Sequence, residues 1–176
     1  MEESKIDLGK LKVDQLGFVY KDIEKQAKIF ETLFNIPKFA ILPEYTEIVN
    51  YRGKDVEMTK KIATSRQFNT QIEFIQHLSG ESVYKEFLDK GREGLHHISF
   101  YVENNEAYIE FFKNRGIGVI FSGSVGKQAY IYFDTEETFG MILEVQETKK
   151  RRKKSRLSKF FTFISMDNFL IEFLYW

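Results

Sequence analysis

The chain contains no cysteine. Disulfides, thiolate metal centres, iron–sulfur clusters and cysteine nucleophiles are thereby excluded, and any metal must sit on nitrogen and oxygen donors. No run of eighteen apolar residues occurs, so no helical membrane span is expected. The start, Met1-Glu2-Glu3-Ser4-Lys5, lacks the basic and then apolar pattern of an export signal, and the expected location is the cytoplasm. A glycine-rich phosphate loop is missing too: Gly123-Ser124-Val125-Gly126 reads as a hairpin turn, not a nucleotide fingerprint. There are only two prolines, Pro37 and Pro43, and each marks an element boundary.

The 176 residues, 43% hydrophobic and 30% charged, suit one globular domain. A formal net charge of +0 hides an asymmetry. From Lys149 to Trp176 there are eight basic residues against Asp167 and Glu172, a net +6; the remainder has 18 basic against 24 acidic, a net −6. A mildly acidic body with a distinct tail is expected, which argues against a nucleic-acid binder. The tail runs from the basic stretch Lys149–Arg156 into the aromatic-rich Phe160–Met166 and Phe169–Trp176. It is too short and too interrupted to span a bilayer. Packing on the body or across a dimer ranks first for it, and contact with an anionic membrane surface second.

Residues 1–9 are polar and expected to be flexible; residues 10–148 form the domain. A strand through Lys12–Tyr20 leads to Asp22, an N-cap, and to a helix whose stripe Ile23, Ala27, Phe30, Phe34 stops before Pro37. Strands are expected around Phe39–Leu42, Thr46–Tyr51, Val56–Ile62 and Thr70–Gln76, with Ser65-Arg66-Gln67 as a turn. A short linker helix lies within 81–91. The plan then restarts with a strand at Leu95–Val102, a helix at Glu106–Arg115, and strands at Val119–Phe121, Gln128–Phe133 and Met141–Gln146. Laid over each other, Gln15 meets His97, Phe18 meets Phe100, Phe30 meets Phe112, and Ile72-Glu73-Phe74 meets Leu143-Glu144-Val145. The domain therefore reads as a duplication, module one at 10–80 and module two at 94–147, and its fold class is α+β. Two βαβββ modules pair into one curved mixed sheet.

Strand alternation puts Gln15 and Gly17, Glu73, His97 and Glu144 on the sheet face opposite the helices. Singly, each suits a solvated face. Together, two carboxylates, an imidazole and an amide oxygen, placed by equivalent strands, are donors suited to a divalent ion. His96 alternates to the packed face and reads as structural, His77 as a rim residue, and Asp14 as an edge hydrogen-bonding group.

The strings Val13-Asp14-Gln15-Leu16-Gly17-Phe18-Val19, Gly94-Leu95-His96-His97-Ile98-Ser99-Phe100 and Gly140-Met141-Ile142-Leu143-Glu144-Val145 resemble the vicinal oxygen chelate superfamily, also called glyoxalase/bleomycin-resistance/dioxygenase. Coverage runs from about Leu11 to Glu147. Within it, Ser82–Leu88 leading through Gly91 into Gly94-Leu95-His96-His97 resembles methylmalonyl-CoA epimerases. The resemblance implies metal ligands at Gln15, Glu73, His97 and Glu144 and one divalent ion, Co, Zn, Mn, Ni or Mg. Epimerases of this type place His where Gln15 stands; a Gln, Glu, His, Glu set resembles zinc-type glyoxalase I. The same alignment brings Glu57 onto an acid/base position, with Glu144 as its partner.

The implied chemistry is removal of a proton α to a carbonyl and its return to the other face, with the enolate charge stabilised by the ion. The expected function is a metal-dependent isomerase epimerising methylmalonyl-CoA or a related acyl-CoA. The alternatives are a glyoxalase I-like lactoylglutathione lyase and a non-catalytic antibiotic-binding module. An acyl-CoA thioester is the expected partner, with Lys60, Lys61 and Arg66 available at the cleft mouth, and a homodimer is the expected assembly.

Overall fold

Asp22 turns the chain from strand to helix: its carboxylate accepts from the Lys25 amide at 2.9 Å, satisfying a donor the first turn leaves open. In the computed structural model, which describes residues 6–126 and 128–148, this cap joins β1 (Gln15–Val19) to α1 (Ile23–Phe34). There follow β2 (Ala40–Ile41), β3 (Tyr45–Tyr51), β4 (Lys54–Gln67), β5 (Thr70–Ser79) and α2 (Val83–Asp89). The second half runs β6 (Gly94–Val102), α3 (Asn105–Lys113), β7 (Val119–Val125), β8 (Gln128–Phe133), α4 (Glu136–Phe139) and β9 (Ile142–Glu147). The tail from 149 onward, with its expected packing or membrane contact, lies outside the described residues. Among those residues no helix is long and apolar enough to cross a membrane.

The strands form one mixed sheet in the order β2-β4-β3-β7-β8-β9-β6-β1-β5, and an additional β4–β5 pairing closes it into a barrel with β2 on its edge. The duplication is visible in the pairing: β1 runs parallel to β5, β6 parallel to β9, and β1 and β6 meet antiparallel between them. Outside the barrel, α1 covers Phe18, Tyr20, Phe39 and Phe74 of module one, and α3 covers Phe133, Leu143 and Val145 of module two. Phe74 is fully buried, with the Phe39 ring stacked at 4.5 Å and Phe30 edge-on at 4.9 Å. Burying one such ring stabilises the fold by about 1.5–3 kcal/mol.

Two local expectations are corrected. Ser65, Arg66 and Gln67 belong to β4, and the turn is Phe68-Asn69, both with positive φ, between the paired Gln67 and Thr70. A two-residue hairpin needs such backbone at both positions, so the strand runs on to the residue before it. Likewise Gly123, Ser124 and Val125 lie in β7, and Val125 already pairs with Gln128. Within the N-terminal stretch expected to be flexible, Leu8–Lys10 forms a 3-10 turn capped by Asp7, and Leu8 packs on the module-two core.

Candidate active site

The face expected to carry the polar donors lines the inside of the barrel. Strand register builds the site in two rows: Glu73, Gly17 and His97 stand side by side on β5, β1 and β6, and Gln71, Gln15, Ser99 and Glu144 form a second row across β5, β1, β6 and β9. Gln15, His97 and Glu144 are almost wholly buried, at 3%, 0% and 2% exposure. An alternative in which this face is merely solvated is therefore excluded.

Gly17 makes the meeting of the first row physically feasible. A Cβ at this position would lie 1.9 Å from the His97 ring, so only glycine lets the imidazole lie over β1 toward Glu73. His97 Nε2 comes within 3.8 Å of Glu73 Oε2 and 3.5 Å of Glu144 Oε2. The Tyr132 hydroxyl is 3.3 Å from the same nitrogen, and His97 Nδ1 is 3.1 Å from His96 Nδ1. This network accommodates a neutral imidazole that donates from Nδ1 and turns its Nε2 lone pair to the carboxylates.

Gln15 stands one step away. Its Oε1 accepts from Gln146 Nε2 at 3.0 Å, and the same amide donates to Glu144 Oε2 at 3.0 Å. Its own amide donates to Gln71 Oε1 at 3.3 Å, which also accepts from the Tyr101 hydroxyl at 2.8 Å. His97 thus faces both Glu73 and Glu144, and Gln15 is tied to Glu144 through Gln146.

Burial sets the electrostatics. Desolvation pushes the Glu73 carboxyl up to about 7, with Lys60 opposing and Glu47 adding to the rise. Desolvation and then the charge of Glu73 push Glu144 up to about 8. His97 is held well below its ordinary range by burial, then by His96 and Lys60. Two adjoining buried carboxylates want either protons or a cation.

The donor chemistry suits a divalent ion: two ligands about 2.1 Å from a tetrahedral centre stand about 3.4 Å apart, close to the His97–Glu144 separation. The side chains are gathered without closing on one point, however. Among the described residues no group of three or more His, Asp or Glu has the spacing to hold an ion.

Glu57 is not brought to this site. It lies in the outward phase of β4 and is exposed, whereas Met58, Lys60 and Ile62 are buried. A carboxylate in the inward phase is Glu47 of β3, whose Oε1 is 2.7 Å from Lys60 Nζ and accepts from the Tyr130 hydroxyl at 3.2 Å. Lys60 departs from expectation in the same way: it is no cleft-mouth residue but is 3% exposed and lines the cavity beside Glu73, Glu144 and Gln15. The cavity has a volume of about 100 Å³. The signal for both residues is present in the sequence: Glu47 shares its alternation phase with Tyr45 and Val49, and Lys60 with Met58 and Ile62. His96 is buried against Tyr84 and Phe87, His77 pairs with Ser82, and Asp14 accepts from the Tyr101 amide, in keeping with structural roles.

Barrel closure, paired modules and a polar interior on β1, β5, β6 and β9 are the attributes of one class of proteins. Residues 14–133 match the family model of the glyoxalase/bleomycin resistance protein/dioxygenase superfamily, and the chain belongs to that superfamily. No curated protein matches the sequence. Among solved structures, a hypothetical protein from Bacillus halodurans C-125 aligns at TM-score 0.60 and 23% identity over 81% of this chain and 97% of its own. Methylmalonyl-CoA epimerase from Mycobacterium tuberculosis aligns at TM-score 0.56 and 15% identity, over 84% of this chain and 95% of the other. The Streptomyces coelicolor methylmalonyl-CoA epimerase in complex with 2-nitronate-propionyl-CoA aligns at TM-score 0.56 and 14% identity, over 78% and 94%. At these identities the likeness is one of fold.

Proposed function

We propose that this protein is an isomerase that moves a proton on the carbon next to an acyl carbonyl, of the methylmalonyl-CoA epimerase type, with an acyl-CoA substrate. The observation that carries the proposal is that Glu73 and Glu144, which line one cavity with Gln15 and Lys60, both approach Nε2 of the buried His97 ring. In this reading Glu73, His97 and Glu144, with Gln15, would hold a divalent ion. When bound, the ion supplies Lewis-acid stabilisation of negative charge on the carbonyl oxygen.

The side chains divide the remaining work. In this reading a carbon held in the cavity is served by Glu47 of β3, which is bonded to the cavity-lining Lys60 and Tyr130, and by Glu144 of β9, which lines the cavity itself. Glu47, oriented by Lys60 Nζ and the Tyr130 hydroxyl, takes the proton from one side; Glu144 would return one from the other through the carboxyl oxygen that it does not give to the ion. Tyr132 and His96 keep the His97 ring in place. The rings of Tyr45, Tyr84, Tyr130 and Tyr132 exclude water, which strengthens each charge interaction inside. The 100 Å³ volume suits a small acyl head, leaving a coenzyme portion outside. A cytoplasmic homodimer belongs to the same proposal.

The test is deuterium uptake at the α carbon of methylmalonyl-CoA, in the parent and in Glu144→Ala. Exchange in the parent and its loss in the variant support the reading; exchange that survives in the variant refutes it. One observation favours a second reading, a non-catalytic binder of a small anion: no group closes at ion-holding spacing among the described residues, while Lys60 already supplies a cation. A binder would bind its ligand without any exchange.

A further inference from the structure

A lysine inside a barrel is the least expected of the cavity's side chains. Lys60 is 3% exposed, and Tyr45, Tyr84 and Tyr130 surround its ammonium, with ring centroids 5.6, 5.6 and 5.3 Å away. Three ring faces and the Glu47 oxygen at 2.7 Å fix where the charge sits. An ammonium carries three N–H donors, so that one carboxylate oxygen does not exhaust its capacity. It also borders the cavity that Gln15, Glu73 and Glu144 line. A lysine needed only to pair with Glu47 would not have to line that space. A desolvated cation on a cavity wall attracts an anionic group far more strongly than one in water.

We propose that Lys60 is the specificity-determining residue of this site, receiving a free carboxylate carried by the substrate's reacting carbon. This rests on the isomerase reading and adds to it the residue that selects for the free carboxylate which methylmalonyl-CoA carries beside its thioester. Glu47 competes for the same ammonium until the substrate carboxylate arrives. Substrate entry then frees Glu47 from part of its ion pair, at the moment when it is needed as a proton acceptor.

The probes are methylmalonyl-CoA and propionyl-CoA, which differ in the free carboxylate alone, titrated calorimetrically into the full chain treated with chelator, so that no metal ion can receive the anion. The parent should bind methylmalonyl-CoA at least about tenfold more tightly than propionyl-CoA, the size of one charge-assisted hydrogen bond. Lys60→Met should abolish that preference. Glu47→Gln removes the competing charge and keeps the ammonium, and should tighten methylmalonyl-CoA binding; a merely structural ion pair predicts no gain. Equal binding of the two thioesters by the parent overturns the proposal, as does an unchanged preference in Lys60→Met. If Lys60→Met does not fold, Glu47→Gln decides alone, and unchanged or weaker methylmalonyl-CoA binding overturns the proposal. Preference for methylmalonyl-CoA without any α-deuterium exchange leaves Lys60 as an anion selector and removes the isomerase reading. Exchange with methylmalonyl-CoA at an unchanged KM in Lys60→Met does the reverse.

Discussion

The imidazole of His97 lies over the backbone of Gly17, its register partner on the neighbouring strand, in the space a side chain there would fill. That overlap lets a ring rooted on β6 approach Glu73, rooted on β5 with β1 between them. One absent methyl group thus joins the two halves of the duplicated fold at their shared site.

Gly17→Ala should displace His97 while leaving the barrel intact. The added Cβ must push the ring away or shift β1, and overpacking of this kind costs about 1–3 kcal/mol. Thermal unfolding should show the lower Tm, and α-deuterium exchange should fall with it. Unchanged stability and exchange would mean that the ring relaxes without consequence.

Glu47 and Glu57 should behave oppositely, although both are strand glutamates with apolar neighbours. Glu47→Gln should lower kcat by about 10²–10⁴-fold, the range for loss of a positioned acid or base. Glu57→Gln, on the exposed outer face of β4, should leave kcat and KM alone. A rate loss in Glu57→Gln would return the acid/base role to that residue.

Chelator-treated protein should lose stability as pH rises. Glu144 titrates at about 8 when folded, above its ordinary carboxylate value near 4.3 when unfolded. A raised folded value means the native state binds more protons, so this contribution is complete below about pH 4 and is lost as pH rises through about 8. Glu144→Gln, which stays neutral, should flatten the dependence of Tm on pH between 5 and 8. A parent curve with no such slope would show that the carboxyl is not strained by burial.

On the acid side, Glu86 should matter instead. Its carboxylate is held below the usual range by Arg52, whose Nε and Nη2 donate at 2.6 and 2.9 Å, with burial opposing and Tyr51 assisting. A depressed folded value contributes stability above the unfolded pKa and loses it as pH falls through the folded one. The Tm advantage of the parent over Glu86→Gln should therefore be present at pH 6 and shrink toward pH 3. A pH-independent difference would assign the effect to packing.

Much of the site is legible in the sequence because strand alternation is strict. Gln15, Glu73, His97 and Glu144 fall in one phase, and equivalent strands of a duplicated unit must bring that phase together. What stays hidden depends on closure. A sequence shows that Lys60 keeps company with Met58 and Ile62, but not that tyrosines from β3, β8 and α2 surround its charge, so it reads as a surface cation. Likeness to a family favours Glu57 over Glu47 because it ignores alternation, which points the first outward and the second into the barrel. The polar Ser65-Arg66-Gln67 suggests a loop, whereas Phe68-Asn69 adopts the positive φ that the hairpin requires.

The central claim is that Glu73, His97 and Glu144 serve a divalent ion, and elemental analysis of protein purified without chelator tests it most directly, in the parent and in His97→Ala. The account predicts close to one divalent ion per chain in the parent and its loss in the variant. A parent that holds no ion, even after reconstitution with Co, Zn, Mn, Ni and Mg, would contradict it and leave a buried anion-binding barrel in its place.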